Sequence, residues 1–184
     1  AKARTEEEAQ EILQWVPICR DYILGLSMEL ERRAIPPDDP AQTTRSLELA
    51  CYFGNLTELL PEHRILALRM AMTLAYKRQC LKLAATLASQ ILSLDPPADL
   101  AAQANKLISL SAQRPQPDAL AVEYEPQVKY EVCAKSYRPI YPGSSIVHSP
   151  LTRTAYKPEQ APPICLISGY EEPGATGTGL ILYQ

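Results

Sequence analysis

The chain changes character near Arg114. Of its 17 prolines, ten lie at or after Pro115, together with seven of the ten tyrosines and five of the seven glycines. The earlier stretch is rich in Leu and Ala. Leu and Ala favour helices, whereas Pro, Gly and Tyr are typical of turns and short strands. We therefore expect an α+β chain, with an α-helical region at 1–114 and a β-rich region at 115–184.

The first region begins with the pattern of one long helix. Thr5 followed three residues later by Glu8 is a capping-box signature. Pro17 lies inside the helical pattern and cannot donate a backbone hydrogen bond, so we expect a kink or a break there. Apolar residues spaced by three or four fall on one face of this helix: Ala9, Ile12, Val16, Cys19, Ile23, Leu26 and Leu30.

Four more helices are predicted, at about 41–53, from Pro61, at about 83–92, and from Ala98 to just before Pro115. The spacing of Ala84, Ala88, Ile91 and Pro96 matches the second helix of a tetratricopeptide-type repeat. Such helices stack as antiparallel hairpins of a solenoid and present extended surfaces to other proteins. This region is therefore predicted to bind protein.

The second region shows short alternating patterns that are typical of strands. Segments 121–124 and 128–132 predict a projecting hairpin, and turns are predicted at Pro142-Gly143 and at 173–179. Further strands are predicted at 138–141, 146–148, 164–167 and 180–183. Strands this short need one another or the helices for stability.

Charge and cysteine usage exclude several classes of function. The net charge is -3 and no run of five basic residues occurs, so neither nucleic acid nor an anionic membrane is expected as a direct ligand. No stretch of about 18 apolar residues occurs, which predicts a soluble piece. Five widely spaced cysteines without a CxxC pair fit a reducing compartment. Because the chain begins at Ala1, we expect it to be part of a longer polypeptide.

A catalytic role is not expected. Cys133 and His148 could form a nucleophile and a base, but no third orienting residue accompanies them, so a buried thiol and a surface histidine are the preferred interpretation. The Gly/Thr-rich segment 174–179 lacks the Lys of a phosphate-binding loop. Tyr137, Arg138 and Tyr141 are residue types that dominate interface hot spots, although they also suit a small strand-rich core.

Two segments carry a resemblance to a known family. Residues 18–27, ICRDYILGLS, and residues 133–141, CAKSYRPIY, resemble the C-terminal domain of the alpha subunit of coatomer. Residues 64–76 and 81–94 are similar to the middle helices of that domain, in the same order and with similar gaps. The resemblance spans roughly residues 8–143, with weaker similarity beyond.

The resemblance implies a structural role in the COPI vesicle coat, in Golgi-to-ER retrograde and intra-Golgi transport. It implies binding to the epsilon subunit of coatomer and assembly with other coatomer subunits, in the cytoplasm and peripherally on Golgi membranes and coated vesicles, with membrane contact only through the assembled coat. An alternative is a tetratricopeptide-like adaptor of another trafficking or intraflagellar coat. The residues proposed to bind the partner are Tyr124, Val128, Tyr130, Tyr137, Arg138 and Tyr141.

The resemblance also implies a zinc-knuckle-like second region, with one departure. Relatives carry additional cysteines where this chain has Ser149 and Ala155. A structural zinc site takes four Cys or His ligands, whereas Cys133 and Cys165, even with His148, supply three. We therefore expect neither a metal nor another cofactor, and strands that are held by packing alone.

Overall fold

The computed structural model describes residues 5–36 and 39–177. Five helices come first: α1 (Glu6–Ala34), α2 (Pro40–Gly54), α3 (Pro61–Lys77), α4 (Leu81–Leu92) and α5 (Ala98–Gln113). Four short strands follow: β1 (Glu131–Val132), β2 (Pro139–Ile140), β3 (Val147–His148) and β4 (Ala155–Tyr156), with one turn of 3₁₀-helix at Pro158–Gln160. The predicted α+β class and the order of its elements are confirmed.

By contacts, the chain forms two compact units. The first, the strand unit, combines Ala1–Leu24 with Val128–Gln184, and the second, the helix unit, is Gly25–Gln127. The boundary between the units therefore falls inside α1. The division of the sequence at residue 114 marks the change of secondary structure and stays a prediction for domain organisation.

The core of the helix unit lies between consecutive helices, because α2 packs on α3, α3 on α4, and α4 on α5. Small residues allow this close approach, since Ala84, Ala88 and Ala104 are fully buried. Leu87 and Ile91 of α4 are also fully buried and fill the space beside them. The arrangement confirms the predicted helical hairpins.

The segment that follows α5 is bonded to the helices. Asp118 accepts hydrogen bonds from the backbone N–H groups of Lys82 (2.8 Å) and Leu83 (3.0 Å) at the start of α4. Tyr52 Oη of α2 donates to the carbonyl oxygen of Glu123 at 2.7 Å. The prediction of a hairpin between 121–124 and 128–132 is wrong, because 121–124 forms no strand and both the N–H and the carbonyl oxygen of Glu123 are bonded to side chains of α2.

The strand unit contains two antiparallel pairs. β1 pairs with β2, with Glu131 opposite Ile140, and β3 pairs with β4, with Val147 opposite Tyr156. Strands predicted at 138–141 and 146–148, and the turn at Pro142-Gly143, are confirmed. The strand predicted at 164–167 is wrong, since this segment forms a turn, and the one at 180–183 lies outside the described residues.

Helix α1 begins as the sequence predicts. Thr5 Oγ1 accepts a hydrogen bond from the backbone N–H of Glu8 at 3.2 Å, which satisfies one of the donors left free at a helix N-terminus. The helix runs unbroken from Glu6 to Ala34 through Pro17. The chain thus tolerates the loss of one internal hydrogen bond at Pro17 and does not end the helix there.

Candidate protein-interaction surface and knuckle turns

An apolar row on the first part of α1 faces solvent. Ile12 is 43% exposed, Trp15 56% and Ile23 42%, and Cys19 between them is also exposed. At 100° per residue, these four side chains share one side of the helix. We call Ile12, Trp15, Cys19 and Ile23 the α1 row.

The buried side of α1 includes a charged residue. Asp21 is 4% exposed and forms a salt bridge with Arg20, whose guanidinium also reaches the carbonyl oxygen of Thr152. Soluble proteins rarely leave a contiguous row of large apolar side chains in water without a reason, and such a patch marks a binding surface. All members of the α1 row except Trp15 belong to the apolar pattern visible in the sequence, but their exposure is visible only in the structure.

The structure divides the six predicted partner-binding residues by burial. Tyr124 and Tyr130 are 9% and 8% exposed. Tyr124 belongs to the helix unit, where its hydroxyl donates to Gln90 Oε1 at 2.7 Å, and burial, the main cause, raises its pKa. Val128, Tyr137 and Tyr141 are half-buried, and Arg138 is exposed.

Two of these six residues lie together. The rings of Tyr130 and Tyr141 meet edge to face, with centroids 5.5 Å apart and planes at 66°, a favourable aromatic geometry. They line a shallow groove of about 290 Å³ with Lys129, Ile140 and Ile146. Their role in partner binding stays a prediction.

Three turns of the strand unit share one backbone geometry, and we call them the first knuckle (133–137), the second knuckle (149–153) and the third knuckle (165–169). In each, the N–H of the fifth residue bonds to the carbonyl oxygen of the first, at 2.8, 3.1 and 2.8 Å. The fifth residues, Tyr137, Arg153 and Gly169, all have positive φ, at 49°, 55° and 66°. The knuckles therefore form an internal repeat of 16 residues.

Each knuckle also places side chains at the Cys-x₂-Cys spacing that metal knuckles use. Its first residue is Cys133, Ser149 or Cys165, and its fourth is a hydroxyl residue, Ser136, Thr152 or Ser168. The sequence reasoning missed these hydroxyl residues. The signal that could have found them is the 16-residue interval with a Ser or Thr three positions after each Cys or Ser.

Hydrogen bonds surround the Cys165 thiol, which is 1% exposed. Tyr156 Oη lies 3.4 Å from its sulfur and Thr152 Oγ1 3.7 Å away. Burial alone raises the pKa of Cys165, but the Ser149 hydroxyl, the Ser168 N–H and hydroxyl, and Tyr156 outweigh it and lower the pKa to about 6.

A buried carboxylate lies next to this thiol. Glu171, 3% exposed, accepts hydrogen bonds from the N–H groups of Leu151 and Thr152 and from the Thr152 hydroxyl. Its own carbonyl oxygen accepts the N–H of Cys165 at 2.7 Å. Glu171 therefore bonds to both the second and the third knuckle.

Cys133 and His148, which the sequence suggested as a possible nucleophile and base, each contact a different side chain. His148 Nε2 lies 2.9 Å from the Glu131 carboxylate, and Cys133 Sγ lies 3.5 Å from Gln160 Oε1. Burial raises the pKa of Cys133, but hydrogen bonds from Ser136, Lys157 and other backbone groups lower it overall. The thiol is wholly buried, which makes it a poor nucleophile for an external substrate.

Two kinds of feature are absent from the described part of the chain. Across residues 5–36 and 39–177, no three His, Cys, Asp or Glu side chains are grouped as metal ligands would be. None of the helices in the same ranges combines the length and the apolarity needed to cross a bilayer.

Comparison with known proteins gives a consistent result. Residues 3–184 match the family model for the C-terminus of the coatomer (COPI) alpha subunit. The chain is 37% identical over 178 residues to coatomer subunit alpha of Dictyostelium discoideum, covering 95% of this chain. Over the same length it is 36% identical to coatomer subunit alpha of Saccharomyces cerevisiae, covering 97% of this chain.

A plant relative agrees with these two. Identity to coatomer subunit alpha-2 of Arabidopsis thaliana is 32% over 177 residues, covering 96% of this chain. The chain spans only 14% of the length of each of these relatives. Because the match runs over nearly the whole chain, this chain belongs to the family of C-terminal domains of the coatomer (COPI) alpha subunit.

Proposed function

We propose that this chain is a structural interaction domain of the COPI coat that binds the epsilon subunit of coatomer. In this role it acts in Golgi-to-ER retrograde and intra-Golgi vesicle transport, on the cytoplasmic side, and meets membranes only through the assembled coat. It performs no catalysis. Membership of the coatomer alpha family supports the coat role.

The observation that carries the proposal is the α1 row. Trp15 is a hot-spot residue type, and at 56% exposed it has a large area to bury against a partner. Ile12, just under one helical turn before Trp15, and Ile23, about two turns after it, extend the apolar contact along the helix. The resemblance implies that the epsilon subunit is a tetratricopeptide protein, and the grooves between the helices of such a protein accept an amphipathic helix.

The six residues predicted from the sequence remain proposed partner contacts, in addition to the α1 row. Arg138 is exposed and able to contact the partner directly, and Val128, Tyr137 and Tyr141 are half-buried. Tyr124 and Tyr130 are too buried to contribute much area, so they act by supporting the surface around them. Replacing either with Asp would bury a charge and unfold the chain, so such variants do not test partner binding.

The test is binding of purified epsilon subunit to α1 variants of the 184-residue chain. Trp15→Asp and Ile23→Asp each weaken binding by about 30-fold or more, the effect of losing a hot spot. Gln10→Asp and Gln14→Asp, at exposed polar positions of the same helix, serve as matched controls and bind normally. Far-ultraviolet circular dichroism confirms that all four variants fold.

Two results contradict the proposal. Unchanged affinity of Trp15→Asp and Ile23→Asp removes the α1 row as the binding surface. Absence of any binding by the unmodified chain, under conditions where it is folded, removes the epsilon subunit as its partner. Capture of other coatomer subunits from cytosol by the chain separates the coat role from that of an adaptor in a different trafficking complex.

A further inference from the structure

The second and third knuckles converge as the two halves of a metal site do. In a tetrahedral zinc site with Zn–S bonds of about 2.3 Å, neighbouring ligand atoms are about 3.8 Å apart. Thr152 Oγ1 of the second knuckle lies 3.7 Å from Cys165 Sγ of the third. The fourth position of one turn and the first position of the other therefore sit at the separation of metal ligands.

The hydroxyl groups at the other two positions act on the same thiol. Ser149 is fully buried, and its hydroxyl is one of the groups that lower the pKa of Cys165. The Ser168 hydroxyl also interacts with Cys165. Ser149, Thr152 and Ser168 thus all interact with Cys165, and we call these four residues the knuckle cluster.

The donor atoms of the knuckle cluster do not fit zinc. One thiol is joined by three alcohol oxygens, and neutral alcohols are not ligands of structural zinc sites, which use Cys and His. Two other side chains lie near the cluster and already form hydrogen bonds. Tyr156 bonds to Cys165, and Glu171 bonds to Thr152 of the second knuckle. The separation of Thr152 Oγ1 and Cys165 Sγ is that of metal ligands, whereas the donor atoms of the cluster are those of a hydrogen-bonded core.

We infer that in this chain the knuckle cluster replaces a structural metal, and that Glu171 holds the second and third knuckles together as a bound ion would. Its carboxylate accepts the N–H of Thr152 at 3.1 Å and the Thr152 hydroxyl, while its backbone carbonyl accepts the N–H of Cys165 at 2.7 Å. A buried carboxylate with several donors forms strong, charge-assisted hydrogen bonds. Hydrogen bonds to a buried carboxylate, in addition to side-chain packing, therefore hold these short strands.

The first experiment restores the ligands. In the 184-residue chain, the triple variant Ser149→Cys, Thr152→Cys and Ser168→Cys, together with Cys165, binds one equivalent of Co²⁺ with the visible absorption of a tetrahedral thiolate site, and Zn²⁺ displaces it. The unmodified chain shows no such absorption. A control with three exposed substitutions, Thr57→Cys, Ser144→Cys and Thr176→Cys, also shows none.

The second experiment measures what Glu171 does without a metal. Glu171→Gln lowers the thermal midpoint of the unmodified chain by about 5 °C or more, because the hydrogen-bond network loses its charged acceptor. Glu172→Gln, at an exposed neighbouring site, leaves the midpoint within about 1 °C. In the triple cysteine variant with Zn²⁺, the loss caused by Glu171→Gln falls to less than half.

Three results overturn the inference. The first is a folded triple variant that binds no Co²⁺, and the second is an unmodified chain that retains one equivalent of tightly held zinc through purification. The third is a Glu171→Gln variant whose thermal midpoint changes as little as that of Glu172→Gln. If the triple variant does not fold, the comparison of Glu171→Gln with Glu172→Gln in the unmodified chain decides. Failure here is separate from failure of the proposed function, because no partner is present in either experiment.

Discussion

Asp118 Oδ1 accepts a hydrogen bond from the backbone N–H of Lys82 at 2.8 Å, and its second carboxylate oxygen accepts the N–H of Leu83 at 3.0 Å. Helix α4 has no capping side chain of its own, since Cys80 at its N-cap makes no such bond. A carboxylate 35 residues beyond Leu83 in the chain therefore caps this helix. Its negative charge also interacts favourably with the positive end of the helix dipole.

The first prediction concerns this cap. Asp118→Ala leaves two N–H groups of α4 without their acceptor, so we expect the free energy of unfolding to fall by about 1–2 kcal/mol. Chemical denaturation of the 184-residue chain measures it. Glu125→Ala, which removes an exposed acid from the same segment, is the control, and an equal effect of both variants would contradict the capping role.

The second prediction tests the fastening of the same segment by Tyr124. Tyr124→Phe keeps the buried ring but removes the hydroxyl that donates to Gln90 Oε1 at 2.7 Å. The loss leaves a polar group of Gln90 poorly satisfied, and we expect a cost of about 1 kcal/mol in unfolding free energy. The double variant with Gln90→Leu should recover part of that loss, and strictly additive effects would show that the two side chains do not interact.

The third prediction is a pH dependence at Glu29. This carboxylate, 9% exposed, forms a bidentate pair with Arg32 at 2.7 and 2.8 Å and a further bond with Arg33 at 2.7 Å. The hydrogen bond from Arg32 is the main cause that lowers the pKa of Glu29 below its ordinary value of 4.5, against the opposing effect of burial.

Because the folded pKa lies below the unfolded one, the stabilisation is complete above pH 4.5 and is lost as the pH falls through the folded pKa. We therefore expect Glu29→Gln to cost about 1 kcal/mol at about pH 7 and progressively less as the pH falls through the acid range. Denaturation curves of both proteins from about pH 3 to about pH 7, on about a one-unit grid, measure the difference. A difference that does not shrink in acid would be inconsistent with the ion pair.

The fourth prediction uses the positive φ of the third knuckle. Gly169 has φ of 66°, and a Cβ added there meets nothing within 4 Å, so Gly169→Ala tests the backbone conformation alone. We expect it to cost about 1 kcal/mol, since the left-handed region is unfavourable for residues other than Gly. Gly177→Ala, where a Cβ also has open space and no positive φ occurs, should cost clearly less, and the reverse order would exclude strain as the reason.

Local patterns predicted the helices well. Thr5 caps α1 as its capping box indicates, and Pro61 begins α3. These features depend on residues within about one helical turn, so they can be derived from neighbours in the sequence. Pro17 does not end α1, which continues through it to Ala34.

Longer-range features could not be predicted in the same way. The alternating residues at 121–124 are typical of a strand, yet Tyr124 and Glu123 are bonded to helices. A strand must pair with the edge of another strand. Whether residues 121–124 pair with such an edge or pack on a helix depends on residues 34 to 75 positions away in the sequence. The burial of Tyr124 and Tyr130 could likewise not be derived from neighbouring residues, and their role in partner binding stays a prediction.

The sequence by itself determined the class of the fold and the helical hairpins, because periodicity, capping residues and turn residues act over a few positions. The resemblance to the C-terminal domain of coatomer alpha rests separately on matched segments such as 18–27 and 133–141. Tertiary structure alone decided that the apolar row of α1 is exposed, that Asp118 caps α4, and that Glu171 joins two knuckles. Each of these three features depends on which groups, distant in the sequence, come within hydrogen-bonding or packing distance of one another. Those distances are set only when the whole chain has folded.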